Sequence, residues 1–182
     1  MKNKFKINDL QLIICDDKIQ HDESKAVIHK VLDDEDYSFD AITCLARPVE
    51  FSIVNQLYNL DKKKVKEACD ECNKSKKIKV LSTQSYHLIL CPLIERYTFF
   101  GKDQAEKLSN QVIDTCNEYK ISTLRITQFC MMLDEFLPIY DQFKGILHAF
   151  STRSDSTIKT VYFDVPEKNY YQLKTLFATY EN

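Results

Sequence analysis

ISTLRITQFCMMLDEFLPIYDQFKGILHAF, residues Ile121–Phe150, decides the fold of this chain. Leu124–Phe129 is an apolar run of strand length, and an uncharged Cys-Met-Met-Leu turn follows it. Pro138 then stands where a first-turn proline is tolerated. Around and after it, Phe136, Ile139, Phe143, Ile146, Leu147 and Phe150 recur at helical spacing and line one side. In α/β proteins, ligands settle outside the carboxyl ends of strands that feed helices in this way. The junction contains no glycine, so its backbone is shielded by side chains throughout.

The same alternation extends in both directions. Upstream, Gly101 and Lys102-Asp103 open a helix whose Ala105, Leu108, Val112, Cys116 and Tyr119 share one face. Downstream, STRSDST is a loop, Ile158–Val165 (IKTVYFDV) a strand, and 166–180 the last helix. Near the start, Leu10–Cys15 (LQLIIC) and Phe39–Ala46 (FDAITCLA) read as strands covered on both faces. Helical patterns are expected over 21–32, over 49–58 and through the basic DKKKVKEACDECNKSKK, and DDEDYS (33–38) is a solvated turn. Ile78–Ser82 and Tyr86–Ile94 are strands separated by a short polar turn, which predicts antiparallel pairing or a sheet edge. Residues 1–9 are a frayed or edge segment. These elements predict a single domain over 1–182: a three-layer α/β/α sandwich with a mixed, mostly parallel sheet of about six strands.

Composition narrows the function. Hydrophobic residues make up 44% and charged residues 29%, values that a packed globular domain has and a disordered chain lacks. The net charge of -2 argues against a protein devoted to nucleic acid. The basic stretch Lys62–Lys79 is the best local candidate for contact with an anionic partner. No run approaches the roughly 18 apolar residues of a membrane span, and the mixed, charged MKNKFKINDL start is not a signal peptide. Seven scattered cysteines read as buried free thiols, which predicts a cytoplasmic protein, in its own cell or delivered into another. Only 2 glycines occur where about a dozen are usual, and most phosphate-cradling loops are thereby excluded.

Individual motifs are weak. Cys69-Asp-Glu-Cys72 has a metal or redox spacing, but no second ligand pair accompanies it, so it reads as two helical cysteines, one of them buried. His87 and Cys91 share a strand face about 13 Å apart, too far for proton transfer. The carboxylates of Asp33–Asp36 lack the interleaving and the glycine of a calcium loop. Asp16-Asp17 ends a strand and reads first as a turn. No catalytic residue, metal or cofactor is called for.

In order and spacing, local phrases from Leu10 to Phe177 resemble a macro domain, the module that binds ADP-ribose. IICDDKI resembles its opening strand and acidic turn, Asp40-Ala41-Ile42 its "DAIVNAAN" strand, and VKEACDEC its "ELLEEC" helix. YHLILCP resembles "YVIHAVGP", ISTLRITQF resembles "IKSIAFPAI", and VYFDVPEKNYYQL resembles "VVFVLFDEEAYEAF". The resemblance implies ADP-ribose or a related nucleotide as ligand. It points to Asp16, Asp40, Ala46, Arg47, Thr127, Gln128, Phe129, Cys130 and Phe163 as ligand-binding positions. Asp16 stands where the family's aspartate meets the adenine, and Phe163 or Tyr162 would stack on a base.

Two departures modify that expectation. Arg47-Pro48-Val49-Glu50 replaces the family's asparagine and glycine-rich loop, and Gln128–Pro138 replaces the "STGIFGFP" loop that wraps the diphosphate. Bulky Phe, Met and Leu side chains oppose close backbone approach to phosphate. The expected function is therefore a divergent binding or protein-interaction module without hydrolase activity, with Phe129–Leu137 as a surface for a protein partner. The alternative is an ADP-ribosyl hydrolase that uses non-standard residues, with Arg47 pairing the diphosphate as a fork-shaped donor.

Overall fold

The structure is a computed structural model that describes residues 4–16, 40–46, 61–84, 86–92, 101–126, 139–165 and 167–181. Its strands are β1 (Lys4–Ile7), β2 (Leu10–Asp16), β3 (Ala41–Leu45), β4 (Lys79–Ser82), β5 (His87–Cys91), β6 (Thr123–Ile126) and β7 (Thr160–Val165). The described helices are α1 (Lys62–Ser75), α2 (Lys102–Glu118), α3 (Ile139–Thr152) and α4 (Glu167–Tyr180). The helices expected over 21–32 and 49–58 and the acidic turn 33–38 lie outside the described residues.

All seven strands join one sheet in the order β1-β2-β7-β6-β3-β5-β4. The central strands from β2 to β5 run parallel, and β1 and β4 close the two edges antiparallel. The count expected from sequence was about six. The seventh strand is β1, where Phe5 and Ile7 turn inward and Lys4 and Lys6 outward. Charged outward residues are a usual protection of a sheet edge.

Helices cover both faces, because β3 and β5 present buried apolar residues to both sides, whereas in β6 the side opposite Leu124 and Ile126 carries buried Arg125. In β5, Ile89 and Cys91 join the larger core with α2, α3 and α4, whereas Leu88 and Leu90 join a smaller core under α1. Ala41 and Ile42 of β3 divide in the same way. Five phenylalanines fill the larger core around Phe163, whose ring lies 5.7 Å from Phe143, 6.5 Å from Phe150 and 5.2 Å from Phe177. Phe5 packs on Phe177 in turn, at 5.6 Å.

Glycine scarcity shows in the turns. Asn8, Lys76 and Lys120 take left-handed backbone with φ of 52°, 55° and 54°. Glycine would hold such positions without steric cost. Lys76 closes α1, whose other end is capped by Asp61 accepting from the Lys63 and Lys64 amides at 3.0 and 3.4 Å.

Asp40 fastens the amino-terminal ends of β3 and β6. Its Oδ2 accepts from the Ser122 amide (2.8 Å), the Ser122 hydroxyl (2.7 Å) and the Thr123 amide (2.9 Å). Partial burial alone would raise its pKa, but the Ser122 hydroxyl, the two amides and the nearby His87 outweigh burial and hold it below the usual carboxylate value. A depressed folded-state pKa stabilises the fold above the unfolded value of about 3.9, and that gain disappears as pH falls through the folded value. Asp40→Ala is expected to cost about 1 kcal/mol at pH 7, discounted for the exposed side chain. Urea titrations should show the gap between the two proteins closing below pH 4. A gap independent of pH would mean that the carboxylate charge contributes nothing.

Candidate functional site

The parallel strands deliver their carboxyl ends to one edge of the sheet. Asp16 of β2 is level with Val165 of β7, and Ile126 of β6 with Phe163. From β3 the chain passes through α1 towards β4 and β5, on one side. From β6 it passes through α3 to β7, on the other. The ends of β3 and β6 therefore flank a topological switch point, where α/β sheets open a crevice for ligands. From β2 to β3 this edge spans three interstrand steps, roughly 14 Å, enough for an elongated ligand lying across the strand ends.

Ala46, the residue after β3, is fully buried. Its amide donates to the Cys91 carbonyl at 2.8 Å, and its carbonyl accepts from Nδ2 of Asn73 on α1 at 2.7 Å. Asn73 thus fixes the point where the chain leaves β3. The sequence hid it inside the charged run NKSKK, where its position one residue after buried Cys72 was the available signal.

Helix amino termini and lysines lie at this edge. α2, α3 and α4 each start on this side, after β5, β6 and β7, and present the positive ends of their dipoles to it. The carboxyl-terminal end of α1 reaches it too, since Lys79 at the start of β4 pairs with Leu90 near the end of β5. Exposed Lys74, Lys76 and Lys77 therefore stand at the strand-end side, while Lys62, Lys63, Lys64 and Lys66 lie at the far end of the helix. Lys79 is engaged by Glu71. The basic stretch is two separate clusters rather than one patch.

The predicted ligand positions divide. Asp16 and Ala46 come to the same edge, and Arg47, Thr127, Gln128, Phe129 and Cys130 lie outside the described residues. Asp40 is corrected: it precedes β3 and so stands at the opposite edge, with its carboxylate taken up by Ser122 and Thr123. Phe163 is corrected as well. It is 1% exposed and ringed by phenylalanines, with no free face for a base. Tyr162, on the opposite face of β7, is also buried.

The described thiols are buried. Burial pushes Cys69, Cys91 and Cys116 up to about 12 and Cys72 to about 11, so all four are protonated at neutral pH. Cys72 donates to the Leu90 carbonyl at 3.3 Å, and Cys91 pairs with the Thr43 hydroxyl at the same distance. Both cysteines of the CxxC are buried, rather than the one expected. His87 bonds the Ser82 hydroxyl through Nδ1 at 2.8 Å, at the other end of β5 from Cys91. Among the described residues no three His, Cys, Asp or Glu side chains are grouped to hold a metal. No described helix is long and apolar enough to cross a membrane.

A scan against protein-family models finds no match, and a comparison with curated protein sequences finds none either. Solved structures do match. The GDAP2 (ganglioside induced differentiation associated protein 2) macro domain aligns over 96% of this chain and 86% of its own, with TM-score 0.63 and 14% identity. The Oceanobacillus iheyensis macrodomain with ADP aligns over 97% and 94%, with TM-score 0.62 and 14% identity. The chain has a macrodomain fold. A mutant of the O. iheyensis macrodomain was solved with ADPR, and it matches at TM-score 0.59 and 13% identity over 97% of both chains. An alphavirus P23pro-zbd structure matches 79% of this chain at TM-score 0.56 and 12% identity, but the chain spans only 22% of that longer protein. The macrodomain fold thus accounts for the strand order and the switch point, at identities that speak for the fold alone.

Proposed function

We propose that this macrodomain-fold chain binds ADP-ribose or a closely related nucleotide across the carboxyl ends of β2, β7, β6 and β3, without turning it over. The observation that carries the reading is the switch point between β3 and β6, edged by three helix amino termini and by Lys74, Lys76 and Lys77. Its support from outside is that structures of the same fold hold ADP and ADPR. Asp16 at the end of β2 suits an adenine amine, and Arg47, directly after Ala46, suits a diphosphate as a bidentate donor. Binding without turnover fits the described side chains: the thiols are protonated, and Asp40 is at the wrong edge.

Calorimetric titration with ADP-ribose is expected to give a micromolar dissociation constant. Arg47→Ala should weaken it about tenfold, the worth of a charge-assisted pair. Incubation with an ADP-ribosylated protein should release no ADP-ribose. Absence of heat at millimolar ligand would leave a protein partner on Phe129–Leu137 as the surviving use of the fold.

A further inference from the structure

At the edge of the sheet opposite the crevice, where β2 and β7 begin, the β1–β2 turn and the closing turn of α3 line a cavity of about 220 Å³. Its apolar lining is Ile7, Leu10, Phe150 and Ile158, all part of the larger core. Asn8 ties the turn to the helix end, donating from Nδ2 to the Ser151 carbonyl at 3.3 Å. Pockets for drug-sized ligands measure about 300–1,000 Å³, so this one takes a smaller molecule, with the volume of roughly seven waters.

The charges around the cavity divide. Arg153 lines it, but its guanidinium is already filled. Nε and Nη2 donate to Asp155 at 2.6 and 2.7 Å, Nη2 to Asp114 at 2.7 Å, and Nη1 to Asn110 at 3.3 Å. Asp9 and Lys159 line it too, and neither side chain meets the other or any further group among the described residues. The Lys159 backbone is fixed, since its amide donates to the Ser122 carbonyl at 2.7 Å and its carbonyl accepts from the Gln11 amide at 2.8 Å. The Ser154 hydroxyl at the same cavity is uncommitted among these residues as well. α3 ends here with Phe150, Ser151 and Thr152, so the negative end of its dipole adds to the Asp9 carboxylate. Asp9 and the helix end suit a cation, Lys159 suits an anion, and the apolar lining suits hydrocarbon.

We propose that this cavity binds a free α-amino acid with an apolar side chain, its ammonium group at Asp9 and the end of α3, its carboxylate at Lys159 and the Ser154 hydroxyl. A bare anion would meet the Asp9 charge and a bare cation that of Lys159, so the zwitterion is selected over either. The site is separate from the nucleotide crevice and does not depend on how that crevice is used.

The test follows the backbone amide resonances of Asn8, Asp9, Ser154 and Lys159 in the full chain while leucine, methionine or phenylalanine is added to millimolar concentration. Saturable shifts with at least one of the three are expected. The amide of that amino acid, which lacks the carboxylate, and its deaminated acid, which lacks the ammonium, should each bind about tenfold more weakly, the worth of one charge-assisted pair. Asp9→Asn should abolish the discrimination against the deaminated acid, and Lys159→Met that against the amide. Both variants should keep the wild-type Tm, because the two side chains touch no other group. Absence of shifts with all three amino acids overturns the proposal, as do equal affinities for the amino acid and both analogues, or wild-type discrimination in the two variants. Shifts produced at these residues by ADP-ribose in place of the amino acids overturn it as well, and make the cavity part of a nucleotide site.

Discussion

Phe163→Ala is expected to lower the unfolding free energy by about 3 to 5 kcal/mol, the usual cost of deleting a fully buried phenyl ring. That is a large part of the 5 to 15 kcal/mol typical of a domain, and it should appear as a fall in Tm of about 10 °C or more. The size follows from the hub position of the ring, which touches Phe143, Phe150 and Phe177 at once. No neighbour can collapse into the space without breaking a further contact. The same variant decides between two roles for the residue. A ring that stacked on a base would leave stability nearly intact and weaken ADP-ribose binding instead. A core ring does the reverse, and thermal unfolding beside calorimetry separates them.

Gly145→Ala should cost about 2 kcal/mol, although alanine is the better helix former by nearly 1 kcal/mol. A Cβ at this position would overlap the Lys102 carbonyl oxygen and come within 2.9 Å of the Glu106 amide nitrogen. Both are backbone atoms of α2, so no flexible side chain can give way, and the helices must separate. The chain has only two glycines, and they meet at this crossing: Gly101 starts α2 and Gly145 faces its first turn. A variant as stable as wild type in urea would show that the crossing relaxes freely.

Much of the fold was legible because its strands are short, continuous apolar runs. LQLIIC, DAITCL, HLILC and TVYFDV must be covered on both faces, and runs of that kind alternating with one-sided helices leave few architectures. β1 was harder, since KFKI offers four residues and a single alternation. The antiparallel pairing of β4 with β5 followed from the short turn between them.

The site was less legible, for three separate reasons. Asp40 misled because a phrase that matches a strand does not say which end of the strand does the work, and a residue that precedes β3 arrives at the edge opposite to one that follows it. Phe163 misled because in a strand covered on both faces alternation cannot tell core from crevice. Asn73 was invisible because polar residues in amphipathic helices ordinarily face water. Only the packing of α1 beneath the end of β3 turns it inward.

The placement of β2 between β1 and β7 has a consequence for how the protein is made. Gln11–Asp16 pairs in parallel with Thr160–Val165, so a strand synthesised first waits for a partner that lies far downstream. Until then the β1–β2 hairpin carries an open edge, and Leu12 and Ile14 lack the phenylalanine core that β7 completes. Parallel pairing between distant segments is the slow kind of contact to form. The half of the crevice that holds Asp16 therefore comes into being only when β7 has been synthesised and docked.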